Sequence, residues 1–128
     1  GRGLYEVSDT IRRFVEGTGI QMGLCSVYVR HTSASLIIQE NADPTARADL
    51  ESWMDRLAPE GDPRYTHTME GPDDMPAHLK STIIGNTLSI PISNGQLNIG
   101  VWQGIYLCEH RSQAHRRKIV ATIYGELV

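Results

Sequence analysis

Little in the chain marks a secreted, membrane-bound or nucleotide-driven protein. Its only two cysteines among 128 residues, Cys25 and Cys108, lie inside apolar segments without C-x-x-C spacing. That placement fits buried reduced thiols better than a disulfide or a metal pair. No uninterrupted apolar stretch approaches the roughly 20 residues that span a bilayer, and no charged segment followed by an apolar core opens the sequence. Positive charge is not in excess either. Twelve Lys and Arg against 15 Asp and Glu leave a net charge of -3, which excludes binding to nucleic acid or membrane through bulk basic charge and leaves room only for a local patch. A Walker-type Gly-x-x-x-x-Gly-Lys loop is missing, no Gly-x-Gly-x-x-Gly follows a strand, and Ser33 and Ser35 lack a Gly-x-Ser-x-Gly elbow. Nucleoside-triphosphate hydrolysis and the α/β-hydrolase route therefore have little support. Repeats, low-complexity tracts and long charge runs are absent as well. The expectation is a soluble, cytoplasmic protein with no nucleic-acid and no membrane partner.

What is present is enough for one core. A chain of 128 residues with 40% hydrophobic side chains, before its 12 glycines are added, has the size and composition of a single globular domain, taken as residues 1–128. Ser8–Glu16 reads as a short amphipathic helix opened by capping-type residues, with Ile11, Phe14 and Val15 on one side and Gly17 and Gly19 after its end. Between Gly23 and Arg30 the side chains alternate, with Cys25, Val27 and Val29 on one face, which predicts a strand; Ser35–Gln39 predicts another. Asp43-Pro44 starts a second helix, because Asp43 accepts from free amides and Pro44 has its φ already set. Ala46, Leu50, Trp53, Met54 and Leu57 then recur at helical spacing. Residues 58–76 hold four prolines and two glycines and read as a long functional loop carrying His67, Glu70, Asp73 and Asp74. Pro76 is expected to begin a short helix stopped near Gly85. Strands follow at Thr87–Ile92, Leu97–Glu109 and Lys118–Tyr124, with a hairpin at Asn94-Gly95 and a polar Arg111–Arg117 connection. Without βαβ alternation, the order points to an α+β domain on antiparallel sheets.

Three histidines sit beside polar clusters: His31 in His31-Thr32-Ser33-Ala34-Ser35, His67 ahead of Glu70, and His78 ahead of Lys80. Three imidazoles with an open fourth position suit a divalent metal, although separations of 36 and 11 residues match no compact ligand motif and ordinary hydrogen-bonding histidines fit them too. Glu70, Asp73 and Asp74 place three carboxylates within five residues, which suits a cation site, a general base or a solvated turn. On the last long strand, period-two counting puts Gln103 and Glu109 on the face of Ile105 and Leu107. A buried Glu109 needs a partner, and Arg111, Arg116 and Arg117 are near enough to pair with it or to hold an anion.

Four blocks in order, His31–Leu36, Glu40–Pro44, Glu70–His78 and Gly100–Ile105, closely resemble the YjbQ family over nearly the whole chain. Val101 stands where threonine is usual, and the segment before Arg116 varies. The resemblance implies a compact antiparallel β-sandwich with flanking short helices, assembled as a homotrimer, with a polar pocket near subunit boundaries. It also implies a metal-dependent enzyme of thiamine-phosphate synthase type, joining hydroxymethylpyrimidine diphosphate to a thiazole phosphate. Metal-assisted hydrolysis of a small phosphorylated metabolite, or a trimeric metal- or small-molecule-binding protein without turnover, stand beside it. In this reading His31, His67 and His78 hold a divalent metal, Zn²⁺ or else Mg²⁺. Glu70, Asp73 and Asp74 handle a proton or a second cation, and Lys80, Gln103 and Arg116 hold the substrate. His110 and His115 are expected to be bystanders.

Overall fold

The computed structural model describes residues 1–127. In chain order the elements are β1 (Gly3–Glu6), α1 (Ser8–Thr18), β2 (Met22–Val29), β3 (Ala34–Glu40), α2 (Pro44–Leu57), α3 (Asp74–Ile84), β4 (Thr87–Ser93), β5 (Gln96–Leu97), β6 (Gln103–Glu109) and β7 (Ile119–Glu126). They form two antiparallel sheets, β1-β6-β3 and β5-β4-β2-β7. This is the expected α+β domain with an antiparallel sandwich and short helices at its flanks. Among the described residues no helix is long and apolar enough to cross a membrane.

The main core lies between the sheets. Cys25, Val27 and Val29 of β2 meet Ala34 and Leu36 of β3, Ile90 and Ile92 of β4 and Ile105 of β6, and Ile11 and Val15 of α1 join them. Fully burying such an aliphatic side chain stabilises the fold by about 1.5–3 kcal/mol. β6 is covered on both faces: Ile105 points into the main core, while Tyr106 and Cys108 enter a second one with Leu4 and Met54. That double burial accounts for its near-continuous apolar run. Both cysteines are free and buried, and burial pushes the Cys108 thiol up to about 12. Gly23 of β2 faces Gly125 of β7 in register. A Cβ on either would come within 2.1 Å of a carbonyl oxygen on the partner strand, so the pair is glycine for lack of room.

The Asn94-Gly95 hairpin forms as expected, with φ of 53° and 78° at its two residues. Asp43 caps α2 by accepting from the Thr45 amide at 2.9 Å. Elsewhere local signals gave way to tertiary contacts. Ser8 does not cap α1. Val7 holds that position, and the buried Ser8 hydroxyl donates to Glu6 Oε2 at 2.7 Å and accepts from the Ile105 amide at 2.8 Å. The single strand expected from Leu97 to Glu109 is broken, because Gly100 and Gln103 make a turn: the Gln103 amide donates to Gly100 O, and Gln103 Oε1 accepts from the Gly100 amide at 2.7 Å. α3 begins at Asp74, before Pro76, and ends at Gly85, whose φ is 99°. In α2 only Met54 is buried and Trp53 stays exposed, so its apolar periodicity exceeds what the second core absorbs.

Candidate functional site

The start of α3 at Asp74 matters for chemistry. Asp74 and His78 stand one helical turn apart and therefore share a face, and the loop before α3 carries His67 onto the same spot. Asp74 Oδ2 lies 2.6 Å from His67 Nε2 and 3.1 Å from His78 Nε2. Ligand atoms of the three residues all fall within 4.8 Å of one another; two metal bonds of about 2.0–2.2 Å reach across at most about 4.4 Å, so an ion held by all three would draw the widest pair slightly together. Asp74 is buried, His78 partly so, and His67 exposed, which leaves the cluster open to solvent on the loop side.

The orientation of His78 is fixed from behind. Its Nδ1 lies 2.8 Å from the carbonyl oxygen of Thr32. A carbonyl only accepts, so Nδ1 carries the proton. The other nitrogen of a neutral ring then presents a lone pair to a carboxylate oxygen, and that juxtaposition needs a proton or a metal cation between them. The other oxygen, Asp74 Oδ1, accepts from Arg111 Nη1 at 2.7 Å. Burial by itself would raise the Asp74 carboxyl, but the His67 hydrogen bond and the charges of His78 and Arg111 hold it below the usual carboxylate range.

Arg111 is the residue whose role the sequence left open. It comes from the end of β6 and donates through Nε to Asp73 Oδ2 at 3.1 Å, and through Nη2 to the Glu70 carbonyl at 2.8 Å. One guanidinium thus ties the carboxylate run to the sheet. If the cluster holds a divalent metal, as proposed below, Arg111→Ala is expected to weaken its affinity by about 10–100-fold, since residues that orient a ligand carry effects of that size. Arg111→Lys should recover only part of the loss, because a lysine lacks the planar fork. Competition with a chromophoric chelator measures both; an unaltered affinity in Arg111→Ala would mean that Asp74 needs no such support.

The remaining expected site residues separate. His31 lines the same cleft as His78, about 290 Å³ in volume, with Thr32, Ser81 and Asn86. Its Nε2, however, accepts from the Lys118 amide at 2.8 Å, and it is not one of the three clustered residues. Asp73 is committed to Arg111 and to the Ser112 amide. Glu70 stays exposed beside the cluster. Lys80 is buried against Asp55, Gln103 closes its turn with Gly100, and Arg116 is exposed in the connection before β7. Glu109 pairs with Arg117, through Nε at 2.7 Å and through Nη2, and Arg117 also donates to Ser33 O.

His110 departs from its expected place in the variable connection, though it stays outside the cluster. It is buried, with Nε2 2.8 Å from the Ser35 hydroxyl, because it continues straight out of β6 into the space under α3 instead of entering the solvated connection. His115 is exposed, as expected.

Comparison with known proteins agrees with this architecture. The chain matches a family described as "UPF0047 protein YjbQ-like" over residues 1–126. It is 47% identical over 127 residues to a UPF0047 protein of Synechocystis, covering 99% of this chain and 86% of that one. It is 44% identical over 126 residues to the UPF0047 protein YjbQ of Salmonella typhimurium, covering 98% and 91%. Among solved structures, an uncharacterized conserved protein of the YjbQ/UPF0047 family from Clostridium acetobutylicum aligns with a TM-score of 0.85 at 33% identity, covering 94% of this chain and 90% of that one. A protein of unknown function from Sulfolobus solfataricus aligns with a TM-score of 0.88 at 27% identity, covering 96% and 87%.

Proposed function

The chain belongs to the UPF0047, YjbQ-like family, and from that premise we propose that it is a metal-dependent enzyme acting on a small metabolite, with His67, Asp74 and His78 holding one divalent metal. The carrying observation is the single oxygen, Asp74 Oδ2, that faces two imidazole nitrogens, one of them turned toward it by the hydrogen bond from His78 Nδ1 to Thr32 O. Two nitrogens and one carboxylate favour Zn²⁺ over Mg²⁺, which prefers all-oxygen surroundings. Bound there, the metal supplies Lewis acidity and a water activated for attack. Glu70, exposed and in hydrogen-bond contact with Asp74, is the carboxylate placed to move a proton, since Asp73 and Asp74 are held by Arg111.

Metal-assisted hydrolysis of a small phosphorylated metabolite fits this arrangement better than thiamine-phosphate synthesis. Synthesis needs cations on a departing pyrophosphate, and the geometry supplies no convergence of Lys80 and Arg116 on the cluster. A homotrimer belongs to the same proposal. Its support is the uncovered face of the four-stranded sheet, where Tyr28, Val120 and Tyr124 are exposed, beside the edge strand β7.

Protein loaded with zinc and freed of excess should contain one zinc per chain by elemental analysis and scatter light as three chains. His67→Ala, Asp74→Ala and His78→Ala should each lower zinc affinity tenfold or more with an unchanged far-ultraviolet spectrum, while His31→Ala retains the metal. Full occupancy in all three cluster variants would end the metal reading, and a single-chain particle would end the trimer. Zinc-dependent phosphate release from a panel of small phosphorylated metabolites is the expected activity; its absence from the whole panel would leave a binding protein.

A further inference from the structure

Only two of the twelve cationic side chains are lysines, Lys80 and Lys118, and one of them is in the interior, where lysine is almost never fully buried unless paired. Lys80 is 1% exposed. Its hydrogen bond to Asp55 Oδ1 is 3.5 Å long, outside the usual range of about 2.7–3.2 Å, so its donors are poorly used. Two residues apart on α3, His78 and Lys80 point about 200° away from one another, and Lys80 has no part in the cluster of His67 and Asp74. It lines a separate cavity of about 70 Å³ together with Arg2, Glu51, Asp55, Glu109 and His110. A water takes up about 30 Å³ in the liquid, so the space suits a molecule of a few heavy atoms. Arg2 and Asp55 are partly exposed and joined at 3.6 Å, which places them at the mouth. The Ser35 hydroxyl engages His110 Nε2, leaving the other ring nitrogen to exchange a hydrogen bond.

The charges select the occupant. Glu51 and Asp55 on the walls oppose an anion, Glu109 there is already paired with Arg117, and Lys80 and Arg2 oppose a cation, whereas a neutral carbonyl oxygen gives the Lys80 ammonium the close acceptor it lacks. An arginine would serve equally well as a buried cation, but only a lysine has an amine capable of condensing with a carbonyl.

We propose that this cavity is a second reactive site, in which Lys80 condenses with a small neutral hydroxyaldehyde or hydroxyketone to form an imine. The Lys80 nitrogen forms a bond to the carbonyl carbon, and the carbon–oxygen bond of the resulting carbinolamine breaks. Two of the three ammonium protons leave with that oxygen as water, and one remains on the iminium, so the positive charge facing Asp55 and Glu51 is conserved. Asp55, at 3.5 Å from Nζ, is the group placed to carry protons from nitrogen to oxygen. No metal, oxidant or reductant takes part.

The whole protein, held in chelator so that metal plays no part, is incubated with dihydroxyacetone or with pyruvate in cyanoborohydride and mapped by peptide mass spectrometry. Lys118, exposed in the same chain, is the reference. Dihydroxyacetone is expected to label Lys80 at least tenfold faster than Lys118 and faster than pyruvate does. Asp55→Asn is expected to slow labelling of Lys80 and leave Lys118 unaffected. Labelling confined to Lys118 and the amino terminus would overturn the proposal, as would equal rates at the two lysines. Because the readout needs no metal, either result leaves the zinc reading of His67, Asp74 and His78 untouched.

Discussion

Replacing Arg117 by methionine is expected to destabilise the fold by about 3–5 kcal/mol, the usual consequence of removing one partner from a buried ion pair. At this chain length that lowers the melting temperature by roughly 10–20 °C. Arg117 and Glu109 are each 6% exposed, and Glu109 also accepts from the Arg111 amide at 3.1 Å. Methionine fills much of the space but leaves a carboxylate in the interior without its cation. Truncation of Glu109 alone strands Arg117 in the same way, whereas the double variant Glu109→Gln with Arg117→Met should regain part of the loss, because neither charge then stays unpaired. The pH response separates this account from simple loss of packing. Burial by itself raises the Glu109 carboxyl, but the Arg117 hydrogen bonds bring it below its usual value. A depressed carboxylate contributes stability above its unfolded pKa, about 4.3, and loses it as pH falls through the folded value. Without Arg117 the burial is opposed chiefly by the Arg111 amide, the smaller effect, so the carboxyl is raised and protonation relieves the variant. The gap between wild type and Arg117→Met in urea midpoint should therefore shrink on going from pH 7 to pH 4.5. A gap that stays constant would assign the loss to packing.

Much of the scaffold was legible because its local signals agree with its tertiary contacts. The alternation of Cys25, Val27 and Val29 reads as one buried strand face and is one; Asp43-Pro44 and Asn94-Gly95 do what their backbone preferences dictate. β1 was not legible. Four residues, Gly-Leu-Tyr-Glu, carry too short a pattern, and they are extended because β6 pairs with them. Half of the site was hidden by one boundary. With the helix started at Pro76, Asp74 belongs to a loop; starting it at Asp74 puts Asp74 and His78 at i and i+4 and makes their convergence a consequence of helical geometry. His31 shows the opposite failure. Its block matches the family, but the ring's use is decided by the amide of Lys118, 87 residues away, and no spacing rule reports a partner at that distance. Lys80 likewise reads as a substrate-holding cation until α2 and the end of β6 close over it.

His110 is expected to make the fold acid-labile between about pH 6.5 and pH 4, before the carboxylates of the ion pairs titrate fully. Burial is the main cause that brings its pKa down to about 4, and the Lys80 ammonium adds to it; Arg117 acts in the same direction, while Glu109 and Asp55 oppose it less strongly. The sign follows from proton counting. Between the two pKa values the unfolded chain holds a proton on this imidazole and the folded chain does not, so the unfolded state gains as pH falls. The stability contribution is intact above the unfolded value near 6.5, and about 3 kcal/mol is lost by pH 4, at roughly 1.4 kcal/mol per unit. His110→Gln keeps an amide to meet the Ser35 hydroxyl but takes up no proton in this range. Its stability at neutral pH should fall modestly, since the glutamine fits the ring's space imperfectly, and its urea midpoint should be nearly flat from pH 6.5 to pH 4.5, where that of the wild type declines. His115→Gln, altered at an exposed ring, should retain the wild-type slope. A proton resonance titration of the His110 ring in the folded protein provides the direct check. A folded pKa near 6.5 would mean that the ring reaches solvent, and the acid lability would then have to come from elsewhere in the molecule.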